Sequence, residues 1–452
     1  MLTNIKKFES KAAYEIYRAT DGWDYPAVNL VDDGNCREVH YNNEFIMRWY
    51  DEDLVKVPSF FGDVSWEEFK DWVDNASRPC EVRTNTTITP TEIYYLNPED
   101  LGEREDGTTS NIAATDWYQM AEIKNINVGL FENSSEGWKE VRFNFDKGCP
   151  KGFHKWFPNA PSGKKLWGRY DAIYLVENDA LSCCANISIG GDSYSPTSFF
   201  QYMSAANNNL LSLTYWEYHV LVFIFCAYYK TFDVQSVCDG LCWYEDDLNE
   251  NENFVSLRRD YPNGWIDTRV SGHAGKHILS NYSSVSGHNN EAYKFMWLEN
   301  PLHGISYIYT AGCCALYPNI YYCFDDIKAN AAVSLDSNRE YADLIIPYFT
   351  LPSPIEVCDP EDNFYYLTLY GIPCHKQYPR NGGWVELTSS QGFYDWSYLS
   401  LNSVSNQITC VGGYYEETAG GFCRNLSTFT KSSDGKEIRY RITMNISPGS
   451  LS

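Results

Sequence analysis

The sequence has no long hydrophobic run. Its longest apolar stretch, "VLVFIFCAYY" at residues 220–229, is about ten residues long, roughly half of what a helix needs to cross a bilayer. This length predicts a helix buried in a protein core. The first residues, "MLTNIKKFESKAAYEIY", also have no apolar segment of the kind that secretory signals contain. We therefore expect a chain that is made and folded in the cytoplasm and that inserts no segment into a membrane.

Basic residues are scarce. The 452 residues include 35 lysines and arginines against 60 aspartates and glutamates, which gives a formal net charge of −25. Phosphate backbones and anionic lipid headgroups repel such an anion. The sequence therefore predicts no nucleic-acid partner.

Metal and catalytic signatures are also missing. Of the fifteen cysteines, Cys238 and Cys242 have C-x3-C spacing, and others form adjacent pairs that rarely ligate one ion together. The one H-x3-H pair, His273 and His277, stands in a stretch rich in glycine and serine, which predicts a loop. P-loop, G-x-S-x-G, H-E-x-x-H and D-x-D-x-D patterns do not occur. We expect free thiols, no metal and no cofactor.

Tyrosine, in contrast, is abundant. Aromatic residues make up 16% of the chain, and 36 tyrosines outnumber 23 phenylalanines. A tyrosine ring offers a large contact area with a polar end, which suits a surface that binds a partner and also faces water. Tyrosine is also common in β-strands, so composition leaves both interpretations open.

Local patterns predict strands first and a buried helix later. Residues 26–42 have the pattern strand, Asp-Gly turn, strand, and residues 64–76 predict a short helix capped by Ser65. Residues 80–180 have strand patterns separated by glycine, proline, asparagine and aspartate. Thr214 and Glu217 then form a T-x-x-E capping box at the start of the apolar helix.

Four motifs follow one another in the second half of the chain: "LTYWEYHVL" at 213–221, "YKFMWLENPLHGISYIYTAG" at 293–312, "RNGGWVEL" at 380–387 and "EIRYRITM" at 437–444. In this order they resemble the C-type lectin-like fold, in the version shared by formylglycine-generating enzymes and the variable proteins of diversity-generating retroelements. The N-terminal "FESKAAYEIY" and the helix at 214 are similar to virion and tail-fibre proteins of phages that infect gut Bacteroides.

The chain also departs from this family. Residues 306–309, "SYIY", replace the usual Trp-Glu-Trp, and Glu437-Ile438 replaces the glycine before the last arginine. Cys410 and Cys423 lie near the end that carries the copper-binding cysteine pair of formylglycine-generating enzymes, but the surrounding pattern does not match. The resemblance therefore implies the fold and not the oxidase chemistry.

The resemblance implies an α+β protein with three parts. Residues 1–78 are expected to be an N-terminal virion-attachment segment, residues 79–185 a β-rich intermediate domain, and residues 186–452 a C-type lectin-like ligand-binding domain. In the family, mutagenesis at template adenines changes residues on a solvent face that a rigid fold supports.

Matching segments near the C-terminus supply the candidate ligand-binding residues: Trp384, Phe393, Tyr394, Asp395, Trp396, Tyr398, Tyr414, Tyr415 and Glu416. A second candidate patch follows the "NPLHG" motif: Tyr307, Tyr309, Cys313, Cys314 and Tyr317. The alternative for the first set is ordinary strand and loop aromatics, with Trp384 and Trp396 in the core, and the alternative for the cysteines of the second patch is small packed residues.

The resemblance implies a receptor-binding adhesin of a phage tail or fibre, and not an enzyme. Its expected partners are a bacterial surface glycan or outer-membrane protein and, through the N-terminal region, other virion proteins. Fibre ends are commonly trimeric, so a homotrimer is expected. Two alternatives stay open: an enzyme on the same fold, either a polysaccharide depolymerase or an oxidase, and a purely structural virion protein.

Overall fold

The computed structural model of this chain is rich in β-sheet. It describes residues 5–8, 28–32, 37–40, 43–50, 58–84, 90–111, 117–133, 135–169, 174–175, 180–181, 210–232, 237, 274–278, 291–299, 301–302, 307–316, 319–333, 346–350, 366–367, 373–374, 377–380, 383–386, 398–400, 407–411, 425–430 and 438–446. Three helices lie among them: α1 (Trp66–Asn75), α2 (Tyr215–Tyr229) and α3 (Asp326–Val333).

The strands that precede helix α2 are β1 (Ile5–Phe8), β2 (Val28–Asp32), β3 (Arg37–His40), β4 (Glu44–Tyr50), β5 (Ser59–Gly62), β6 (Ser77–Thr84), β7 (Pro90–Asn97), β8 (Asp100–Arg104), β9 (Trp117–Lys124), β10 (Asn127–Asn133), β11 (Trp138–Asn144), β12 (Phe153–Lys155), β13 (Lys164–Gly168), β14 (Tyr174–Leu175), β15 (Ala180–Leu181) and β16 (Leu210–Ser212).

The strands that follow it are β17 (Gly275–Ile278), β18 (Glu291–Phe295), β19 (Leu298–Glu299), β20 (Tyr307–Leu316), β21 (Asn319–Tyr322), β22 (Ile346–Thr350), β23 (Tyr366–Leu367), β24 (Pro373–Cys374), β25 (Gln377–Arg380), β26 (Gly383–Glu386), β27 (Tyr398–Ser400), β28 (Gln407–Val411), β29 (Asn425–Thr430), β30 (Ile438–Tyr440) and β31 (Ile442–Asn445).

Two antiparallel sheets contribute to one hydrophobic core. The five-stranded sheet has the order β12-β10-β11-β4-β5, and a seven-stranded sheet has the order β16-β31-β13-β9-β6-β7-β8. Apolar side chains from both sheets, such as Phe143 and Trp167, join those of helices α1 and α2 in a single buried cluster. The strand-rich pattern predicted between residues 80 and 180 is therefore confirmed.

Helix α1 begins at the predicted cap. The Oγ of Ser65 accepts a hydrogen bond from the backbone N–H of Glu68 at 3.2 Å, and the Glu68 carboxylate accepts one from the N–H of Ser65 at 2.8 Å. These bonds satisfy N–H groups that the start of a helix otherwise leaves without partners. Phe69 and Val73 are buried, and the Phe69 ring stacks on Phe45 of β4 with centroids 4.3 Å apart.

Helix α2 is the buried helix that the sequence predicts. Its capping box is formed in both directions, because Thr214 Oγ1 accepts from the Glu217 N–H at 3.1 Å and the Glu217 carboxylate accepts from the Thr214 N–H at 2.9 Å. Every residue from Tyr215 to Ala227 is buried, as expected for a helix that is apolar on all sides. Within the described segments, no helix is long and apolar enough to span a membrane.

Another seven-stranded sheet contains strands that follow helix α2. Its order is β22-β21-β20-β28-β29-β27, and β30 pairs with the start of β20. A smaller sheet, β17-β18-β19, includes His277 in β17, which pairs with Ala292. The prediction of a loop at "HAGKH" is wrong at residues 275–277, because pairing with a strand thirteen or more residues away overrides the local glycine and serine signal.

The two sheets of the core join strands from all three predicted parts of the chain. The predicted boundary at residue 78 falls within β6. Strands β4 and β5 of the predicted first part lie in one sheet with β10 and β11 of the second. Strands β16 and β31, which belong to the predicted third part, share a sheet with β13 from the second. The division into three domains stays a prediction.

Candidate functional site

Six of the predicted contact residues lie in strands whose backbone is described: Tyr307, Tyr309, Cys313 and Cys314 in β20, Trp384 in β26 and Tyr398 in β27. The others lie outside the described residues: Phe393, Tyr394, Asp395, Trp396, Tyr414, Tyr415, Glu416 and Tyr317. Strands β20 and β27 belong to the same sheet, with β28 and β29 between them. Three strand spacings separate them by about 14 Å, so this sheet holds positions from both predicted patches.

Strand β20 is attached to the core at its centre. The N–H of Ala311 donates to the carbonyl of Leu213 at 3.0 Å, just before helix α2, and the N–H of Cys323 donates to the carbonyl of Gly312 at 2.8 Å. Gly312 has a φ of +80°, and a Cβ at this position would lie 2.8 Å from the Cβ of Ala329 in helix α3. The register with β28 shifts here, so β20 bends where it contacts α2 and α3.

The two helices that contact this bend, α2 and α3, also share a buried ionic cluster. Lys165 of β13 donates from its Nζ to Glu217 Oε1 and to Asp326 Oδ2, each at 2.5 Å. All three side chains are at most 1% exposed. Asn159 Nδ2 donates to Asp326 Oδ1 at 2.7 Å and to Asp325 Oδ1 at 2.9 Å. The cluster therefore joins β13, the first turn of α2 and the first turn of α3.

The pKa values in this cluster follow from burial and from mutual attraction. Burial alone would lower the pKa of Lys165, but the adjacent Asp326 and Glu217 carboxylates outweigh it and hold the pKa above its usual value. Burial would raise the pKa of Asp326, and Lys165 instead holds it below its usual value. For Glu217 burial dominates and raises the pKa. Because these groups are at most 1% exposed, they do not reach a substrate. They hold together β13, α2 and α3, and the two helices contact strand β20.

Sequence reasoning identified only one member of this cluster. Glu217 was expected from its capping box, in which Oε2 accepts from the Thr214 N–H, but its Oε1 also accepts from Lys165. Lys165 stands in "KKLWG", directly after a second lysine, and Asp326 stands in "FDD" at the start of a helix. Neither segment carries a sequence signal that separates these charges from solvated ones, because their burial follows from tertiary packing.

A second polar network lies on the face of the five-stranded sheet that points away from the hydrophobic core, where Glu44, Glu140 and Arg142 are also buried. Arg142 of β11 donates to Glu140 Oε2 from Nε at 2.6 Å and to Glu44 Oε2 from Nη1 at 3.3 Å. Arg48 of β4 donates to Glu140 Oε1 from Nε at 2.5 Å. Burial raises the pKa of Glu44 to about 8, and the attraction of Arg142 only partly opposes that rise.

We expect Glu44→Gln to change how stability depends on pH. The folded protein keeps a proton on Glu44 that the unfolded chain releases above pH 4.5. The free energy of unfolding of the wild type should therefore fall as pH rises from about 4.5 to 8, and then level off. Glutamine cannot ionise and still accepts from Arg142, so the variant should be more stable at pH 8.5 by about 2–4 kcal/mol. Urea unfolding between pH 4.5 and 9 measures this, and parallel curves for both proteins would contradict it.

Among the described residues, no three histidine, cysteine, aspartate or glutamate side chains come together as a possible metal site. The four cysteines described with their side chains, Cys80, Cys149, Cys226 and Cys323, are free thiols. Comparison of this chain with known protein families, with curated proteins and with solved structures finds no match.

Proposed function

We propose that this chain is a receptor-binding adhesin of a phage tail or fibre. In this proposal, residues 186–452 form a C-type lectin-like scaffold whose aromatic-rich surface binds a bacterial glycan or outer-membrane protein, and the N-terminal region attaches to other virion proteins. The observation that supports it most directly is the attachment of strand β20. Four predicted contact positions lie in this strand, on both sides of the bend at Ala311 and Gly312.

A rigid support favours binding by substitutable side chains. Binding is tighter when the protein does not have to become ordered, because ordering costs free energy. Tyrosine adds contact area with few rotatable bonds. The ionic cluster of Lys165, Glu217 and Asp326 joins β13, α2 and α3, and the buried helix α2 packs in the hydrophobic core. Substitutions at contact positions therefore need not unfold the protein.

The expected trimer would strengthen weak contacts. Several copies on one virion turn later binding events into local ones, which raises avidity without new contacts. The net charge of −25 also favours uncharged or basic receptor groups over polyanions. We propose binding without catalysis for this surface.

Changing the C-terminal patch should strongly weaken adsorption to host cells. The double variant Tyr394→Ala/Trp396→Ser removes two aromatic contacts, and adsorption of the purified protein to gut Bacteroides cells should fall at least tenfold, about 1.4 kcal/mol. Ile327→Ala, at an exposed position of helix α3, is the control and should adsorb normally. Unchanged adsorption by a correctly folded double variant would remove these residues from the binding surface. Release of reducing sugar from the host polysaccharide would instead favour a depolymerase.

Natural variation tests the retroelement part of the proposal separately. Sequencing the gene from independent isolates should show substitutions concentrated at residues 393–398 and 414–416. A nearby reverse-transcriptase gene and a near-copy of the 3′ region that differs only opposite adenines should accompany them. Identical residues in all isolates, with no such copy, would contradict variable display while leaving the adsorption result to stand by itself.

A further inference from the structure

We propose a second ligand-binding surface that takes a neutral sugar ring, on the outer face of the five-stranded sheet. This surface, the Tyr50 platform, consists of Tyr50, Trp138, Arg48 and Phe61. It extends beyond the proposed function, because none of its residues belongs to the predicted contact positions and all lie before residue 186. It can therefore hold or fail independently of the adhesin proposal.

The strand register places these side chains together. Side chains alternate along a strand, and Phe45, Met47 and Trp49 of β4 lie in the core. Arg48 and Tyr50 therefore point to the opposite face, here called the outer face, which is buried at Ile46 and Glu140 and open to solvent at Tyr50. Tyr50 is the direct partner of Trp138 on β11, so their Cβ atoms are about 5 Å apart.

Phe61 reaches the same face from the neighbouring edge strand. On β5 it is the partner of Ile46, which precedes Arg48 by one alternation of β4. The four side chains therefore cover adjoining positions on three neighbouring strands, β11, β4 and β5.

Arg48 holds the two flanking rings in fixed positions. Its guanidinium carbon lies 4.7 Å from the ring centroid of Phe61 and 4.7 Å from that of Trp138. The Nε of Arg48 also donates to the buried carboxylate of Glu140. A cation between two aromatic faces attracts both, and the ion pair fixes the cation, so Arg48, Phe61 and Trp138 are ordered before any ligand arrives.

Trp138 has a second restraint. Its Nε1 donates to Glu136 Oε2 at 2.8 Å, within a turn that Asn133 orders by accepting from the N–H and Oγ of Ser135. The N–H of Gly137 also donates to the Asn133 carbonyl at 2.8 Å. The indole is therefore held on one side by Arg48 and at its edge by Glu136.

Tyr50 is the accessible part of the platform. It is 40% exposed, and only one other large hydrophobic side chain among the described residues, Ile327, is comparably exposed. Within the described part of the chain, the Tyr50 side chain makes no hydrogen bond or ring contact. An open ring beside a restrained indole suits a ligand that has one apolar face and hydroxyl groups at its edge.

The size and charge of the platform argue for a sugar. A stable protein interface needs roughly 800 Å² on each partner and 20–30 residues, whereas Tyr50 is the one exposed ring here and Phe61 and Trp138 are half-buried. Exposed Ser135 and Glu136 border it, and Glu140 balances the charge of Arg48. The border is therefore polar and acidic, which repels sulfated, phosphorylated or uronic-acid glycans. A neutral pyranose fits both the ring area and the border.

The test is an array of neutral and anionic oligosaccharides from bacterial surfaces, probed with the full chain. The wild type should bind at least one neutral class. Tyr50→Ala and Trp138→Ala should each reduce that binding at least tenfold, whereas Tyr50→Phe, which keeps the ring, and Ile327→Ala should leave it within twofold. Thermal unfolding identifies any variant that fails to fold. If Trp138→Ala fails to fold, Tyr50→Ala still tests the proposal, because Tyr50 is exposed.

Four outcomes would overturn the proposal: no neutral oligosaccharide bound, only anionic ones bound, binding unaffected by both alanine variants, or a change of oligomeric state in Tyr50→Ala without any effect on sugars. The last would identify a second copy of this chain as the occupant. Tyr394→Ala/Trp396→Ser is included in the same array. Loss of cell adsorption in that variant with the neutral-sugar signal intact separates the two surfaces.

Discussion

Replacing Lys165 with methionine should destabilise the protein by about 3–5 kcal/mol. Methionine keeps the length and packing of the side chain but removes the charge that lies between Glu217 Oε1 and Asp326 Oδ2. Two fully buried carboxylates would then face each other without a cation. Breaking a buried ion pair from one side costs this much because the remaining charge keeps its desolvation penalty.

The measurement is urea unfolding followed by tryptophan fluorescence, at pH 7 and at pH 5. The variant should recover part of its stability at pH 5, because protonation of the carboxylates removes their repulsion. Adding Glu217→Gln and Asp326→Asn should recover stability at both pH values. Lys70→Met is the matched control, since Lys70 pairs with Asp74 on the surface of helix α1, and it should cost less than about 1 kcal/mol. Equal losses for Lys165→Met and Lys70→Met would refute a special role for the buried cluster.

Gly312→Val should be about as damaging, with an expected loss of about 3–5 kcal/mol. Two effects add at this position. The φ of +80° is one that a β-branched residue adopts only under strain. The new Cβ would also lie 2.8 Å from the Cβ of Ala329 and 3.2 Å from the carbonyl oxygen of Cys323, so helix α3 or β21 would have to move.

Gly107→Val separates these two effects. Gly107 has a φ of +81°, nearly that of Gly312, but a Cβ there would meet nothing within 4 Å. It should therefore show the backbone strain alone, about 1–3 kcal/mol. Thermal unfolding of the two variants side by side gives the difference. If both lose the same stability, the close approach of β20 to α3 contributes nothing and the support proposed for the contact strand is not there.

These two variants also bear on binding. Lys165 joins the two helices that contact the bend of β20, Gly312 lies within that bend, and neither is a predicted contact residue. Both variants should lower the temperature at which receptor binding is lost. Neither should change the affinity measured well below that temperature. Contact residues should behave in the opposite way.

Local sequence signals determined helices α1 and α2 and the general β-rich character, whereas helix α3 (Asp326–Val333) was not predicted. The caps at Ser65 and Thr214 depend on bonds between residues three apart, and a motif this short can be read from the sequence. The apolar run at 220–229 predicts burial because no face of such a helix can be left in water. The strand patterns at 80–180 likewise follow from alternation and turn residues.

Which strands pair and which charges meet was decided only by the tertiary structure. Lys165 meets Glu217 across 52 residues and Asp326 across 161, and no periodicity encodes such a distance. Residues 275–277 of the loop predicted at "HAGKH" belong to strand β17, because they pair with strand β18, which a local pattern does not indicate. Nothing in the sequence around Gly312 indicates that a larger residue is excluded there. The exclusion comes from Ala329 of helix α3, which the fold brings close to it. Composition revealed the excess of tyrosine, but whether a ring such as Tyr50 reaches solvent depends on which face of a strand the core covers, and that is settled only when the sheets pack.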